Sequence, residues 1–234
     1  MLLSILLLKA GASNYFGKFT GYLFYNSMTY QSNDQPIKWI DLLAEGDFTI
    51  IDAFIDSSSV HFFNQLLDEL LKEDELKKAG VGTLGDFAIK EQIRGDYIHW
   101  LNAGENALFD SFFSQMDELI QLIRRYCFLS ISDFECHFAY YPAGAGYQKH
   151  LDQFNGRSNR VISAVLYLNE NWKKGDGGEL VIHQNEKTII EPIAGRLVLF
   201  KSAEVWHEVA QTCVPRRSIT GWMLNNPVGL GFLN

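Results

Sequence analysis

The sequence is poor in cationic residues, with 20 Lys and Arg against 28 Asp and Glu and a formal net charge of −8. A surface of clustered Lys and Arg, on which affinity for nucleic acid mainly depends, is therefore not expected. Cysteine is also scarce: Cys127, Cys136 and Cys213 are widely spaced and form no CxxC pair. We predict three free thiols, neither a disulfide framework nor a structural zinc site, and a reducing, cytoplasmic location.

The chain also lacks long apolar runs and linker-like segments. The apolar run Met1–Leu8 is too short to span a bilayer and has no basic segment before it, as a secretory signal requires. No repeat or Pro/Gly/Ser-rich linker divides the sequence, and we expect no membrane partner. We predict an N-terminal extension of uncertain role over residues 1–34 and a single domain over residues 35–234.

Apolar residues are abundant, at 47% of the chain, and aromatic residues make up 14%. This composition is that of a globular protein with a large aromatic core or a pocket lined by rings. Helical spacing predicts a helix that is capped by Ser58 or Ser59 and ends at Lys77-Lys78, before Gly80. A second helix is predicted from about Asn106 to Arg125.

After Ser130 the apolar period changes from helical spacing to strict alternation, which is typical of half-buried strands. In the first strand Phe134, Cys136, Phe138 and Tyr140 alternate with Glu135, His137 and Ala139. Further strands are predicted over Arg160–Leu168, Glu179–His183, Thr188–Ile193, Arg196–Phe200, Glu208–Gln211 and Arg217–Met223. Helices followed by six or more short strands indicate an α+β fold, with helices packed on a β-sandwich or jelly roll.

Two of the six histidines stand in a pattern that suggests a metal site. His150 and Asp152, two positions apart on an extended segment, point to the same side, and His207 follows later in the chain. Two imidazoles and one carboxylate are the ligands of the facial triad that holds iron(II), but zinc accepts the same set. For the other four histidines, His61, His99, His137 and His183, we predict structural roles.

A second constellation follows His207 along the chain. Strand alternation places Arg217 and Ile219 on one face and the following residues on the other: Arg216, Ser218, Thr220 and Trp222. A guanidinium and a hydroxyl on one face suit a carboxylate, because arginine offers a fixed bidentate fork. A zinc hydrolase needs no such second site, so Arg216 and Ser218 favour an iron site that also binds an oxo-acid with a further carboxylate.

The same half of the chain carries an ordered set of further motifs. They are Ile93–Trp100, Tyr140–Asp152, Arg160–Asn169, Gly177–Leu180, Arg196–Phe200 and Trp206–Val209. This set resembles the prolyl-hydroxylase branch of the Fe(II)/2-oxoglutarate-dependent dioxygenases, both the oxygen-sensing enzymes and their bacterial relatives. The resemblance spans about residues 90 to 225 and leaves the first thirty residues uncovered.

The resemblance implies a double-stranded β-helix (jelly roll) core with supporting N-terminal helices. It implies that His150, Asp152 and His207 bind iron(II) and that Arg216 pairs with the C5 carboxylate of 2-oxoglutarate. It also assigns Tyr167 a hydrogen bond to that carboxylate and places three more residues around the pocket: Tyr141, Ser163 and Trp222. Arg94 and Asp96 match a segment beside the substrate entrance, where a structural ion pair is an equal alternative.

The implied activity consumes 2-oxoglutarate and dioxygen, hydroxylates a prolyl residue of a protein, and releases succinate and carbon dioxide. Ascorbate is a further candidate cofactor, and a translation factor is a candidate partner because some bacterial relatives modify one. One alternative keeps the cofactors but acts on a free amino acid, another residue or a nucleobase. Another is a non-catalytic jelly-roll binding or sensing module, which the intact metal and Arg216 motifs disfavour.

Overall fold

The computed structural model describes residues 38–80, 93–153 and 159–225. These residues all lie in one compact unit that begins at Pro36. The predicted N-terminal extension over residues 1–34 lies outside the described residues. Within the described ranges, no helix combines the length and apolar character needed to cross a membrane.

The described residues form three α-helices: α1 (Lys38–Gly46), α2 (Ser57–Lys72) and α3 (Ala107–Cys127). The start predicted for α2 at Ser58 or Ser59 was wrong, because Asp56 is the N-cap and accepts a hydrogen bond from the Ser59 backbone N–H at 2.8 Å. The predicted end was also wrong. Glu73 caps the helix, and Asp74 then adopts a left-handed φ of 56° that ends it. For α3 the predicted start is confirmed, since Asn106 caps it by accepting from the Leu108 N–H.

Eleven β-strands are present among the described residues. They are β1 (Phe48–Ile51), β2 (Lys77–Lys78), β3 (Tyr97–Leu101), β4 (Asp133–Tyr141), β5 (Tyr147–His150), β6 (Arg160–Tyr167), β7 (Leu180–His183), β8 (Lys187–Ile190), β9 (Leu197–Lys201), β10 (Trp206–Val209) and β11 (Arg216–Leu224). A seven-stranded major sheet has the order β1-β9-β6-β11-β4-β3-β2, and a four-stranded minor sheet has the order β5-β10-β7-β8. All strand pairs in both sheets are antiparallel, and the predicted jelly roll with supporting helices is confirmed.

Several strand boundaries differ from the prediction, and the difference in β10 affects the site. Strand β10 begins at Trp206 rather than Glu208, because it pairs with β7 from Trp206 opposite His183 to Val209 opposite Leu180. His207 therefore lies inside the strand instead of before it. Strand β8 ends at Ile190 rather than Ile193, because Pro192 has no backbone N–H to continue a ladder.

The major sheet has one face covered by helices and one face turned toward the minor sheet. On the helix face, Phe63 of α2 packs on Phe109 and Phe138 within a large apolar cluster. On the opposite face, Val165, Tyr167 and Phe200 pack against Leu180 and Ile182 of the minor sheet. The alternation predicted for β4 and β11 is confirmed, and the second face, here called the pocket face, carries most of the predicted site residues.

Candidate active site

The two predicted histidine ligands lie side by side in the minor sheet. His150 is the last residue of β5 and pairs directly with His207 of β10. Opposite residues of an antiparallel pair project to the same side, so both imidazoles face the major sheet, with ring centroids 4.2 Å apart. Asp152 follows β5 after one residue and returns its carboxylate to the same point.

The three side chains converge as a metal site requires. Asp152 Oδ1 lies 3.5 Å from His150 Nε2 and 3.7 Å from His207 Nε2. The three candidate ligand atoms all lie within 4.8 Å of one another, and both imidazoles are buried. Atoms so spaced surround a point that is open to an ion with bond lengths of about 2.0–2.2 Å.

Each imidazole is oriented by a backbone carbonyl. His150 Nδ1 is 2.7 Å from the carbonyl oxygen of Gln148, and His207 Nδ1 is 3.0 Å from that of Val205. These contacts assign the ring proton to Nδ1, which donates to the carbonyl and leaves the Nε2 lone pair for a metal. Sequence reasoning did not identify either partner, because a carbonyl is present at every position and carries no sequence signal.

The Asp152 carboxylate is held by two residues of the pocket face. Its Oδ2 accepts hydrogen bonds from Ser163 Oγ at 2.6 Å and from Trp222 Nε1 at 3.0 Å. Ser163 also contacts Ser202 Oγ at 2.8 Å. The sequence placed Ser163 and Trp222 around the cofactor pocket, and the structure gives their polar atoms a more definite role: they turn Oδ1 toward the two imidazoles.

The protonation states of this cluster suit a cation. Burial alone would raise the pKa of the Asp152 carboxyl, but the imidazoles of His207 and His150 and the hydroxyl of Ser163 outweigh it and lower the pKa. Burial lowers the pKa of His207 to about 4. A carboxylate and neutral imidazoles are the forms in which these side chains bind a metal, so the residues fit the predicted ion.

Arg216 lies on the pocket face as predicted, and its guanidinium is buried. Its Nε donates to the carbonyl of Gly178 at 2.8 Å and its Nη1 to Ser218 Oγ at 3.2 Å. Both partners are neutral, so within the described part of the chain the positive charge of Arg216 is buried without a carboxylate partner. A buried charge with only neutral partners is unfavourable, and an anionic ligand would stabilise it.

Two tyrosine rings enclose this guanidinium. The Cζ atom of Arg216 lies 4.9 Å from the ring centre of Tyr141 and 5.1 Å from that of Tyr167. The hydroxyl of Tyr167 is buried and has no hydrogen-bond partner among the described residues. An unpaired phenol donor beside an unneutralised guanidinium fits the distal carboxylate of 2-oxoglutarate, the cosubstrate that the sequence predicted.

Gly178 permits this arrangement, and the sequence did not assign it a role. It has a left-handed φ of 76°, and a Cβ at this position would lie 2.9 Å from Cδ of Arg216. Any side chain would push the guanidinium aside. The signal that could have found it is the pair Gly177-Gly178, which begins one of the motifs that carry the family resemblance.

The Arg94–Asp96 pair lies behind the metal cluster. Arg94 Nε and Nη2 donate to the two carboxylate oxygens of Asp96 at 2.6 and 2.9 Å, and Asp96 is fully buried. The guanidinium stacks over the Tyr147 ring at 5.0 Å, and Tyr147 in turn stacks on His150 at 3.6 Å. Of the two readings that the sequence left open, these contacts favour a structural ion pair.

The remaining sequence expectations concern thiols and structural histidines. All three cysteines are free, as predicted, and Cys213 is the exposed one. His61 contacts Gln65 and His99 contacts the Glu75 carbonyl, both at the surface. His183 lies 3.2 Å from Glu208. His137 differs from these three, because it lies on the pocket face beside Trp222.

Comparison with known proteins places this geometry in a family. Residues 136–224 match the model of the 2OG-Fe(II) oxygenase superfamily. The mouse and human forms of prolyl hydroxylase EGLN3 are 33% and 34% identical over 148 and 145 residues. The chain spans only 59% of the length of these curated relatives.

Two solved structures resemble the chain over most of their length. A prolyl-4-hydroxylase from Pseudomonas putida is 37% identical, with 81% of this chain and 98% of that one covered and a TM-score of 0.73. A prolyl hydroxylase from Trichoplax adhaerens, solved with a peptide fragment of the hypoxia inducible factor oxygen degradation domain, is 30% identical. Its comparison covers 80% of this chain and 87% of that one, with a TM-score of 0.73.

Proposed function

We propose that the chain hydroxylates a prolyl residue in a protein substrate. The premise is that it belongs to the prolyl-hydroxylase branch of the 2OG-Fe(II) oxygenase superfamily. The family binds iron(II), 2-oxoglutarate and dioxygen. The observation that carries the proposal is the pairing of a convergent His150, Asp152 and His207 cluster with a buried, unneutralised Arg216. Zinc would suit the cluster alone, but the Arg216 site has a purpose only with an anionic cosubstrate.

Different side chains would position the metal and the cosubstrate. His150, Asp152 and His207 would hold iron(II) from one side, and Arg216 with Tyr167 would bind the C5 carboxylate of 2-oxoglutarate. When bound, iron(II) and 2-oxoglutarate supply the activation of dioxygen for insertion of one oxygen atom into a C–H bond, with succinate and carbon dioxide as coproducts. The chain itself fixes the imidazole orientation through Gln148 and Val205 and holds Arg216 and Tyr167 in a buried position.

A peptide substrate is supported by the relatives, of which one was solved with a peptide fragment of the hypoxia inducible factor oxygen degradation domain. For this chain a translation factor is our candidate partner, because the net charge of −8 suits a basic protein segment. The cytoplasm is our proposed location, because the three cysteines are free. Ascorbate is proposed as a reductant that maintains iron(II).

The proposal is tested by succinate formation and by mass spectrometry. Purified protein is supplied with iron(II), 2-oxoglutarate and a peptide set: the Trichoplax oxygen degradation domain peptide and proline-containing loop peptides of translation factors. We expect succinate and a mass gain of one oxygen atom on a proline of at least one peptide. Omitting ascorbate should shorten the time course, if ascorbate protects the iron.

The control variant is His207→Ala, which removes one metal ligand from a strand that four residue pairs hold to β7. We expect a folded protein whose succinate formation falls to background. Activity that survives in His207→Ala would exclude the metal assignment. Turnover with a free amino acid or a nucleoside but with no peptide would establish the cofactors and exclude the prolyl substrate, and no turnover with any substrate would favour a binding module.

A further inference from the structure

His137 is a buried histidine on the pocket face for which the reaction described above has no use. It lies in β4 opposite Thr220 of β11 and beside Trp100 of β3. Its ring contacts the rings of Trp100 and Trp222, with centroids 5.1 and 5.4 Å away. Because Trp222 donates to Asp152, His137 is one aromatic ring away from the metal cluster.

The two ring nitrogens of His137 have different surroundings. Nδ1 lies 2.9 Å from the carbonyl oxygen of Phe138, so Nδ1 carries the proton and donates to it. Nε2 is therefore a lone-pair acceptor at the far tip of the ring. It is buried and has no hydrogen-bond partner among the residues that the structure describes.

An ordinary packing role does not account for this nitrogen. Buried polar atoms without a partner are rare in native proteins, and a leucine would fill the same space between two tryptophans without the penalty. Burial, aided by the nearby charge of Arg94, lowers the pKa of His137 to about 4, so the ring stays neutral at physiological pH. The atom is thus a neutral acceptor that is available to a donor from a ligand.

The chemistry of an acceptor excludes the cosubstrate as that ligand. 2-Oxoglutarate has only carboxylate and keto oxygens, which accept hydrogen bonds and cannot donate one to a lone pair. The Arg216 site also lies at the opposite end of the inward-facing row of β11, with Ser218 and Thr220 between it and Trp222. A polypeptide does carry donors, in its backbone N–H groups.

The position of His137 also favours the substrate. Its neighbour Trp100 is 45% exposed, so this side of the pocket opens to solvent, whereas the Arg216 side is closed. Two tryptophan rings beside an acceptor suit a proline ring flanked by peptide groups. Proline itself has no N–H, so the donor would belong to an adjacent residue.

We propose that His137 is a further positioning residue for the substrate, and that its Nε2 accepts a hydrogen bond from a backbone N–H next to the target proline. This inference rests on the proposed function, because it requires a peptide in the pocket. It adds a contact that a polypeptide can make through a backbone N–H and that a metabolite with only acceptor groups cannot make.

The test compares wild type with His137→Leu and His137→Gln, using whichever peptide of the set above is hydroxylated. Leucine removes the acceptor, and glutamine places its amide oxygen close to the position of Nε2. For His137→Leu we expect the KM for peptide to rise about 3- to 10-fold, as one neutral hydrogen bond allows. In His137→Leu the KM for 2-oxoglutarate should not rise and the thermal unfolding midpoint should not fall. His137→Gln should recover most of the peptide affinity.

A chemical probe identifies the donor. Peptides in which one amide near the proline is replaced by an ester lose a single N–H and can be scanned over the neighbouring residues. With wild-type protein, the ester at one position should raise the KM for peptide by the same factor as the His137→Leu substitution does with the unmodified peptide. Combining that ester peptide with His137→Leu should raise the KM no further. Additive effects at every position, or a His137→Leu protein with an unchanged peptide KM, would overturn the proposal.

Failure of the proposed function gives a different result. If no peptide yields succinate or a mass gain with wild type, the proposed function falls and this inference falls with it. If wild type hydroxylates a peptide and only the KM for 2-oxoglutarate responds to His137→Leu, the proposed function stands and His137 belongs to the cosubstrate site.

Discussion

Arg216 and Arg217 are neighbours in β11, yet they point to opposite faces of the major sheet and do different work. Arg217 points to the helices, where its Nη2 is 2.7 Å from Asp68 of α2 and its backbone N–H donates to Asn169. Arg216 points to the pocket face, where its side chain meets only neutral groups. Arg217, which supports the fold, is therefore neutralised by a carboxylate, whereas Arg216 is available to an anionic ligand.

The same contrast holds across the whole sheet. The helix face is a continuous apolar cluster in which large side chains such as Phe63, Phe138 and Ile162 are fully buried. The pocket face carries buried polar groups that are only partly satisfied among the described residues. Tyr167 Oη and His137 Nε2 have no hydrogen-bond partner there, and the Arg216 guanidinium has neutral partners only. Such groups are retained against stability where binding requires them, so stability and chemistry are divided between two faces of the same strands.

The largest difference between the two faces should be seen when Arg216 and Arg217 are each replaced and the KM for 2-oxoglutarate is compared. Arg216→Met should raise the KM for 2-oxoglutarate about 10- to 100-fold, because a hydrogen-bonded charge contributes roughly 1.5–3 kcal/mol to binding. It should not lower the free energy of unfolding, because it removes a buried charge that has no counter-charge. Succinate assays and urea unfolding measure the two quantities.

Arg217→Met is the matched control on the other face. Its ion pair with Asp68 is partly exposed, so the loss should be only about 0.2–1 kcal/mol in unfolding free energy, with the KM for 2-oxoglutarate unchanged. Equal increases in KM for both variants would show that the two faces are not separated as described. A loss of stability in Arg216→Met would show that Gly178 and Ser218 already satisfy its charge.

Much of this division was predictable from the sequence. Alternation in β11 placed Arg216 and Ser218 on one face and Arg217 on the other, and the structure agrees. The helix-then-strand order gave the fold class, because apolar period is a local property that tertiary contacts rarely reverse. The metal motif was equally local, since His150 and Asp152 are close in the chain.

What the sequence did not reveal depends on contacts between distant segments or on the backbone. The carbonyls of Gln148 and Val205 that orient the imidazoles have no residue-specific signal. The pairing of Trp222 with Asp152 joins two motifs whose approach is fixed only by the packing of the two sheets. Helix α1 and four short strands, β1, β2, β3 and β5, were not predicted, because they are short and acquire their stability from the sheets.

A smaller effect should follow from loosening the carboxylate of the metal cluster. Trp222→Phe keeps an aromatic ring but removes the N–H that donates to Asp152 Oδ2, leaving Ser163 as the remaining donor. Loss of a partner that orients a metal ligand typically weakens metal binding about 10- to 100-fold, and we expect a value in that range for iron(II). Metal titration under anaerobic conditions measures it.

The control for Trp222 is another tryptophan whose N–H is also in use. Trp172 Nε1 donates to the Gly177 carbonyl at 2.9 Å, away from the metal cluster. Trp172→Phe should leave iron(II) affinity unchanged. If both substitutions weaken iron(II) binding alike, the effect comes from loss of general packing, and Trp222 does not act through Asp152.

The smallest effect concerns pH, because two imidazoles are buried and neutral: His137 on the pocket face and His207 in the minor sheet opposite. The pKa of His137 and of His207 is about 4 in the folded chain, against 6.5 for an ordinary histidine. Between these values the unfolded chain binds more protons, so the unfolding free energy should fall as pH decreases from 6.5 toward 4, by up to about 1.4 kcal/mol per pH unit for each group. The slope of unfolding free energy against pH is measured by urea unfolding of the metal-free protein. His137→Leu should reduce this slope by the contribution of one histidine. An unchanged slope would mean that His137 is already protonated or hydrated in the folded protein, and its Nε2 would then not be the neutral acceptor that the pocket face offers to a substrate.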